Sequence, residues 1–284
     1  MPPTLAPKSP TASIDATFAA LRQARRKAVI PFVMGGDPDL DTTRGLLLAL
    51  AEGGADLLEV GMPFSDPLAD GPVIQRASTR ALAHGTTLPA LLEVVADVAR
   101  RVTVPIVLLS YWNPILQYGG GRQALGDPTT FVDAAKRHGL SGVIVPDLIP
   151  EEADEFRRRA EACGVSTIFL AAPTSSQQRL RTITRASTGF VYYVSVTGTT
   201  GVRTELPRDW MDGVRRLKLV TTKPVCVGFG ISTREQAVDV AKVADGVIIG
   251  SALVRAIESA LPRGRSSIVD QARGFFAPIR QAVM

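Results

Sequence analysis

Residues 57–72 read LLEVGMPFSDPLADGP, an apolar run that carries Glu59 inside it and releases Asp66 and Asp70 among prolines just beyond it. A carboxylate in such a run loses its hydration. Burial raises a glutamate above its ordinary value of about 4.3, towards the range in which it can give and take protons at neutral pH. Glu59 is therefore the leading catalytic candidate. A glutamate paired with arginine or lysine in a protein interior fits the same position, and the pattern does not separate the two. Asp70, in PLADGP, offers a second carboxylate, with an Asx turn or helix cap as the other reading. That other reading is stronger for Asp66, which precedes a proline.

Glycines supply a second kind of chemistry. GFGIS begins at Gly228, and GSALVRAIE begins at Gly250 and opens a helical pattern. Backbone N–H groups at such a helix start can hold a phosphate, and Gly228, Gly230, Gly250 and Ser251 would let it approach. SVTGTTGVRTEL adds Gly198, Thr200 and Gly201, a segment able to fold over a ligand as a lid. Tight turns without a ligand would use the same glycines. The two histidines, His84 and His138, each precede glycine at a helix end, where imidazole suits the helix dipole, and no two-histidine-plus-carboxylate set is available. The expected site contains no metal. Cys163 and Cys226 are far apart, lack metal-ligand spacing and read as reduced thiols.

The elements that must position these groups alternate along the chain. Continuous apolar runs predict strands at 29–34, 57–60, 106–109, 142–145, 166–170, 190–194, 225–227 and 247–249, in the manner of parallel strands buried on both faces. Helical patterns lie at 43–52, 88–101, 129–138, 151–163, 175–186, 207–219, 234–242, 252–260 and 267–283. A further helix from Ile14 to Arg26 precedes the first strand and could plug a barrel floor. Eight strand–helix units in 284 residues favour a closed (β/α)₈ barrel, in the α/β class, over an open doubly wound sheet. No GxGxxG follows the first strand, so nothing supports a dinucleotide site there. The domain reading is a tail at 1–13 followed by one barrel domain at 14–284. In such a barrel the active site lies at the carboxyl ends of the strands, where Asp37, Glu59, SYWNP, Asp147 and both glycine clusters fall.

The bulk properties narrow the classes. The 32 basic and 27 acidic residues are interspersed, and no aromatics alternate with the basic runs, so a nucleic-acid surface has no support. The start MPPTLAPKSPTAS carries four prolines and no apolar core, and no run of 18 apolar residues occurs. A soluble, cytoplasmic protein without a membrane anchor is expected.

The segments VIPFVMGGDPD, LLEVGMPFSDPLADGPVIQRA, YWNPILQYG, GVIVPDLIPEEA, FVYYVSVTGTTG, VCVGFGIS and DGVIIGSALV, in this order and spread over nearly the whole chain, resemble the tryptophan synthase alpha subunit family. The resemblance implies retro-aldol cleavage of indole-3-glycerol phosphate to indole and glyceraldehyde 3-phosphate. It assigns Glu59 as the catalytic glutamate and Asp70 as the aspartate beside the indole nitrogen. It further implies that Phe32 and Leu109 line the indole and that Tyr192 lies near the glutamate. Gly201, Phe229, Gly230, Gly250 and Ser251 would hold the phosphate, and Thr200 would help order the closed lid. Asp66 would contact a beta subunit that carries pyridoxal phosphate, in an α₂β₂ heterotetramer, while this chain has no cofactor of its own. Two features depart from the expected pattern: a longer glycine-rich stretch after Tyr118, and Met34 at a position often polar. A non-catalytic regulatory subunit and a stand-alone lyase are the competing readings.

Overall fold

Strand β1 (Ala28–Met34) is buried at every position, as a parallel strand must be when it lies between an interior and a layer of helices. It belongs to a computed structural model that describes residues 13–120, 126–194, 210–228 and 230–283. Around β1 stand β2 (Leu58–Gly61), β3 (Ile106–Leu109), β4 (Gly142–Ile144), β5 (Ser166–Ile168), β6 (Leu170–Ala171), β7 (Val191–Val194), β8 (Val225–Gly228) and β9 (Gly246–Ile249). They run in the order β5-β4-β3-β2-β1-β9-β8-β7-β6, and every pairing is parallel. The two outermost strands are halves of one segment interrupted at Phe169. Since β5 pairs with β4 and β6 with β7, the continuity of that segment completes the barrel.

Alternation along the strands divides the apolar residues into two layers. Val29, Val33, Leu58, Val60, Ile106, Leu108, Val143, Val191, Val225 and Val247 face the helices. Ile30, Val107, Ile144, Ile168, Tyr192, Cys226 and Ile248 fill the interior. Helix α1 (Ile14–Gln23) starts at Ser13, whose hydroxyl accepts the Ala16 N–H at 3.1 Å. Its Ile14, Phe18 and Leu21, spaced to share one helical face, enter the interior cluster and close the amino-terminal end. Phe18 meets Phe190 with ring centroids 5.9 Å apart.

The outer layer comprises α2 (Leu40–Glu52), α3 (Pro72–Ala83), α4 (Leu88–Ala99), α5 (Trp112–Gln117), α6 (Pro128–Arg137), α7 (Asp154–Cys163), α8 (Gln177–Ala186), α9 (Trp210–Lys218), α10 (Arg234–Val243), α11 (Ser251–Ala260) and α12 (Arg265–Val283). Three features depart from the sequence expectation. The fifth strand is split, giving nine strands among the described residues rather than eight. Helix α3 occupies a stretch read only as motif. The short α5 contains Pro114 in its first turn, where proline is tolerated. No helix among the described residues is long and apolar enough to cross a membrane.

Candidate active site

Register brings the first site residues together. Phe32 on β1 and Glu59 on β2 are Cα partners, and Glu59 in turn pairs with Val107 on β3. Glu59 shares the inward parity of Leu57, so its carboxylate stands inside the barrel near the carboxyl ends of the strands. It is 1% exposed, and its Oε2 has no hydrogen-bond partner among the described residues. No basic side chain among them pairs with it, so the described residues do not supply the interior ion pair that the sequence left open. Burial, and second the nearby charge of Asp70, push its pKa up to about 8.

Asp70 arrives by another route. The loop after β2 turns with the Asp70 N–H donating to the Pro67 carbonyl at 3.0 Å, and Gly71 and Pro72 then open α3. Its Oδ2 accepts the Tyr111 hydroxyl at 3.2 Å, while that hydroxyl accepts the Ala69 N–H at 2.9 Å. Burial raises Asp70 to about 6, opposed by the Tyr111 hydrogen bond, which favours the charged form. The two carboxylates are thus separated in acidity by their surroundings: Glu59 is mostly neutral at pH 7 and Asp70 mostly ionised.

Both acids line one pocket with Phe32, Ile74, Leu109, Tyr192, Ile248, Gly250 and Ser251. Its flat apolar walls come from β1, β3, β9 and α3. Tyr192 is buried, its phenol pushed well up by burial and then by the Glu59 charge, so it stays protonated. Gly228 lets the Tyr192 ring stand where it does, because a Cβ there would overlap the Tyr192 hydroxyl.

At the other end Gly250 is the N-cap of α11 and offers no side-chain cap. Val254 is the first residue whose N–H returns to Gly250, so the N–H groups of the preceding turn are free to hold an anion. Gly230 follows β8 with φ +82°, a conformation that suits glycine. It does not line the pocket.

Several sequence candidates lie elsewhere. Asp37, at the end of β1, is bound by Arg80 rather than turned to the pocket. Asp147 accepts the Trp112 N–H at 2.8 Å. Asp66 is exposed and accepts the Ser65 hydroxyl at 2.6 Å. His84 and His138 end α3 and α6, each with Nδ1 against the carbonyl four residues earlier. Met34 is buried with Phe32, Val73 and Ile74 beneath the pocket wall. Gly198, Thr200, Gly201 and Phe229 lie outside the described residues.

Sequence reasoning missed Tyr111, Ile74 and Ile248. Tyr111 stands in SYWNP at the end of β3, and its place at a strand end was the available signal. Ile74 lies on the unforeseen α3.

The fold and this pocket define the class: a (β/α)₈ barrel with two carboxylates facing one apolar pocket near the carboxyl ends of its strands. Residues 18–283 match the family model described as tryptophan synthase alpha chain. The tryptophan synthase alpha chain of Geotalea daltonii is 49% identical over 245 residues, 86% of this chain and 90% of that one. The one of Citrifermentans bemidjiense is 46% identical over 271 residues, 95% and 97% of the two chains. Among solved structures, tryptophan synthase subunit alpha from Legionella pneumophila superposes with a TM-score of 0.85 at 36% identity, covering 95% of this chain and 97% of that one. A chain of Mycobacterium tuberculosis tryptophan synthase gives 0.84 at 36% identity, covering 96% and 98%. The chain belongs to the tryptophan synthase alpha chain family, lyases of tryptophan biosynthesis.

Proposed function

We propose that this chain cleaves indole-3-glycerol phosphate to indole and glyceraldehyde 3-phosphate. The observation that carries the reading is the pair Glu59 and Asp70, of opposite protonation at neutral pH, facing one apolar pocket. The indole plane lies between Phe32 and Leu109, and the phosphate takes the free N–H groups of the α11 start, beside Gly250 and Ser251. In this reading Gly201, Phe229 and Gly230 also contribute to phosphate binding, and Thr200 helps order the closed site.

Glu59, neutral in the free enzyme, donates its proton to indole C3, and the ring becomes an indoleninium cation. Asp70, ionised, accepts the indole N–H and stabilises that cation. Glu59, now a carboxylate, takes the proton of the C3′ hydroxyl. The O–H electron pair becomes the carbonyl of glyceraldehyde 3-phosphate as the C3–C3′ bond breaks. The pair from that bond returns to the ring and leaves neutral indole. One proton enters at C3 and one leaves at C3′, so Glu59 ends as it began. Tyr192 bounds the glutamate on one side and excludes water from it.

The family's alpha designation implies a beta subunit as partner. In this reading indole passes to it, pyridoxal phosphate belongs to it and not to this chain, and the complex is a cytoplasmic, allosterically coupled α₂β₂ heterotetramer. Asp66 and the neighbouring Leu68, which is 87% exposed, suit the partner-facing surface of the loop after β2. In this reading residues 14–284 make one barrel domain. Steady-state cleavage of indole-3-glycerol phosphate by the purified chain, with and without a beta subunit, tests the reading. Slow turnover that rises sharply with the partner is expected. No turnover in either condition sinks it, and fast turnover alone marks a stand-alone lyase.

A further inference from the structure

Two helices bring their amino-terminal ends to the pocket. Asp70 runs through Gly71 into α3, and Gly250 and Ser251 open α11. The helices pack on one another, and their seam is apolar, with Ala77 and Ala81 of α3 and Val254 of α11 clustered against Phe32 and Met34. Apolar burial is non-directional, whereas polar contacts impose specific distances and angles between the helices.

Polar contacts of this kind join α3 to α11. Arg76 and Arg80, one turn apart on α3, close on the same Glu258 carboxylate of α11. Arg76 Nε and Nη2 donate to its two oxygens at 2.8 Å each, and Arg80 Nη1 donates to Oε1 at 2.8 Å. Arg80 turns the rest of its fork to Asp37 at the end of β1, with Nε to Oδ1 and Nη2 to Oδ2 both at 2.8 Å. Asp37 is 2% exposed, so this end of the network is anchored in the barrel. Glu258 lies two turns beyond Ser251, about 10 Å along a rigid helix. The Arg76 hydrogen bond foremost, and then Arg80, hold Glu258 down to about 2, so it remains ionised throughout the working pH range.

We propose that Asp37, Arg80, Glu258 and Arg76 form a clasp that sets the spacing between Asp70 and the anion-holding start of α11, making Arg80 and Glu258 positioning residues for the reaction. The proposal rests on the reading of the pocket as the indole-3-glycerol phosphate site. A substrate that spans both ends is sensitive to their separation, and a ligand that occupies one end is not.

The test compares Glu258→Gln and Arg80→Lys with the unaltered chain, each with the beta subunit present. Glu258→Gln leaves the Asp37–Arg80 pair in place, so the fold retains its anchor. Arg80→Lys keeps the charge but loses the planar fork that bridges two carboxylates. A misplacement of about 1 Å costs on the order of 100-fold in such a site, so both variants should lose at least about 10-fold in kcat/KM, with KM raised. Equilibrium binding of inorganic phosphate, which reads the α11 end alone, and of indole, which reads the apolar end alone, should stay within about twofold, because neither ligand spans the gap. Unchanged kinetics in Glu258→Gln overturn the proposal. So does an equal loss of substrate and both half-ligands, which would mark general damage. Should Arg80→Lys fail to fold, Glu258→Gln decides alone. Absent cleavage by the unaltered chain sinks the functional reading and the clasp with it, whereas normal cleavage by both variants sinks the clasp alone.

Discussion

The Tyr111 hydroxyl donates to Asp70 across 3.2 Å, whereas Glu59, facing the same pocket, keeps one oxygen with no donor among the described residues. That inequality, added to deeper burial, makes Glu59 the weaker acid of the two. The charged form of Asp70 is supported and that of Glu59 is not.

Cleavage should therefore have a bell-shaped pH profile. The active free enzyme holds Glu59 protonated and Asp70 ionised, so kcat/KM should fall below about 6 and above about 8. Rates across this range check it, and a flat profile up to pH 9 would remove Glu59 from the proton-transfer role.

Glu59→Gln keeps size and removes the titrating group. Turnover should drop by about 10²–10⁴-fold while the substrate still binds. Single-turnover rates with a parallel binding titration separate the two quantities, and unchanged turnover would end the shuttle.

The same group controls stability. Glu59 has its pKa raised in the fold, so between its ordinary 4.5 and about 8 the native state holds more proton than the unfolded chain. Stability contributed by the neutral form is complete below 4.5 and is lost as pH rises through about 8. Melting temperatures should consequently decline with pH over this window more steeply in the unaltered chain than in Glu59→Gln. Parallel slopes would contradict the burial argument.

Tyr111→Phe removes the hydrogen bond that favours ionised Asp70 and leaves the Ala69 N–H without that acceptor. The acid limb of kcat/KM should move to higher pH while the alkaline limb stays. A profile scaled down uniformly would assign Tyr111 to packing alone.

Gly228→Ala puts a methyl group into the space of the Tyr192 hydroxyl, against a buried ring. Overpacking of this kind costs about 1–3 kcal/mol, and Tyr192 must leave its position beside Glu59. Denaturant unfolding and kcat together check this, and a stable, fully active variant would exclude it.

Much of the fold was legible because parallel strands buried on both faces must be continuous apolar runs. Seven of the eight predicted strands appear within a residue or so of their expected ends. The segment 166–170 reads as one strand, yet the structure interrupts it at Phe169, the first half pairing with β4 and the second with β7. Helix α3 was hidden in PVIQRASTRALA, where only Val73, Ile74, Ala77, Ser78 and Ala81 are buried and Gln75, Arg76, Thr79 and Arg80 interrupt the apolar pattern. Its apolar stripe is too small to stand out beside the motif that precedes it. Asp37 and Asp147 looked as promising as Asp70 on their own, since a strand-end aspartate has the same local signature whether it meets an arginine, an N–H group or a pocket.

The sequence by itself determined the strand–helix alternation, the acid inside the second apolar run and the glycines at the ends of the last two strands, all of them matters of local composition. Only the tertiary structure decided that Glu59 has no ion-pair partner among the described residues, that Arg80 holds Asp37, and that Tyr111 reaches Asp70 from the loop after β3. Those pairings join residues 41 to 43 positions apart where they exist at all. Protonation in a buried site follows such distant neighbours, so the acidities that make the two carboxylates complementary arise only once the barrel has closed.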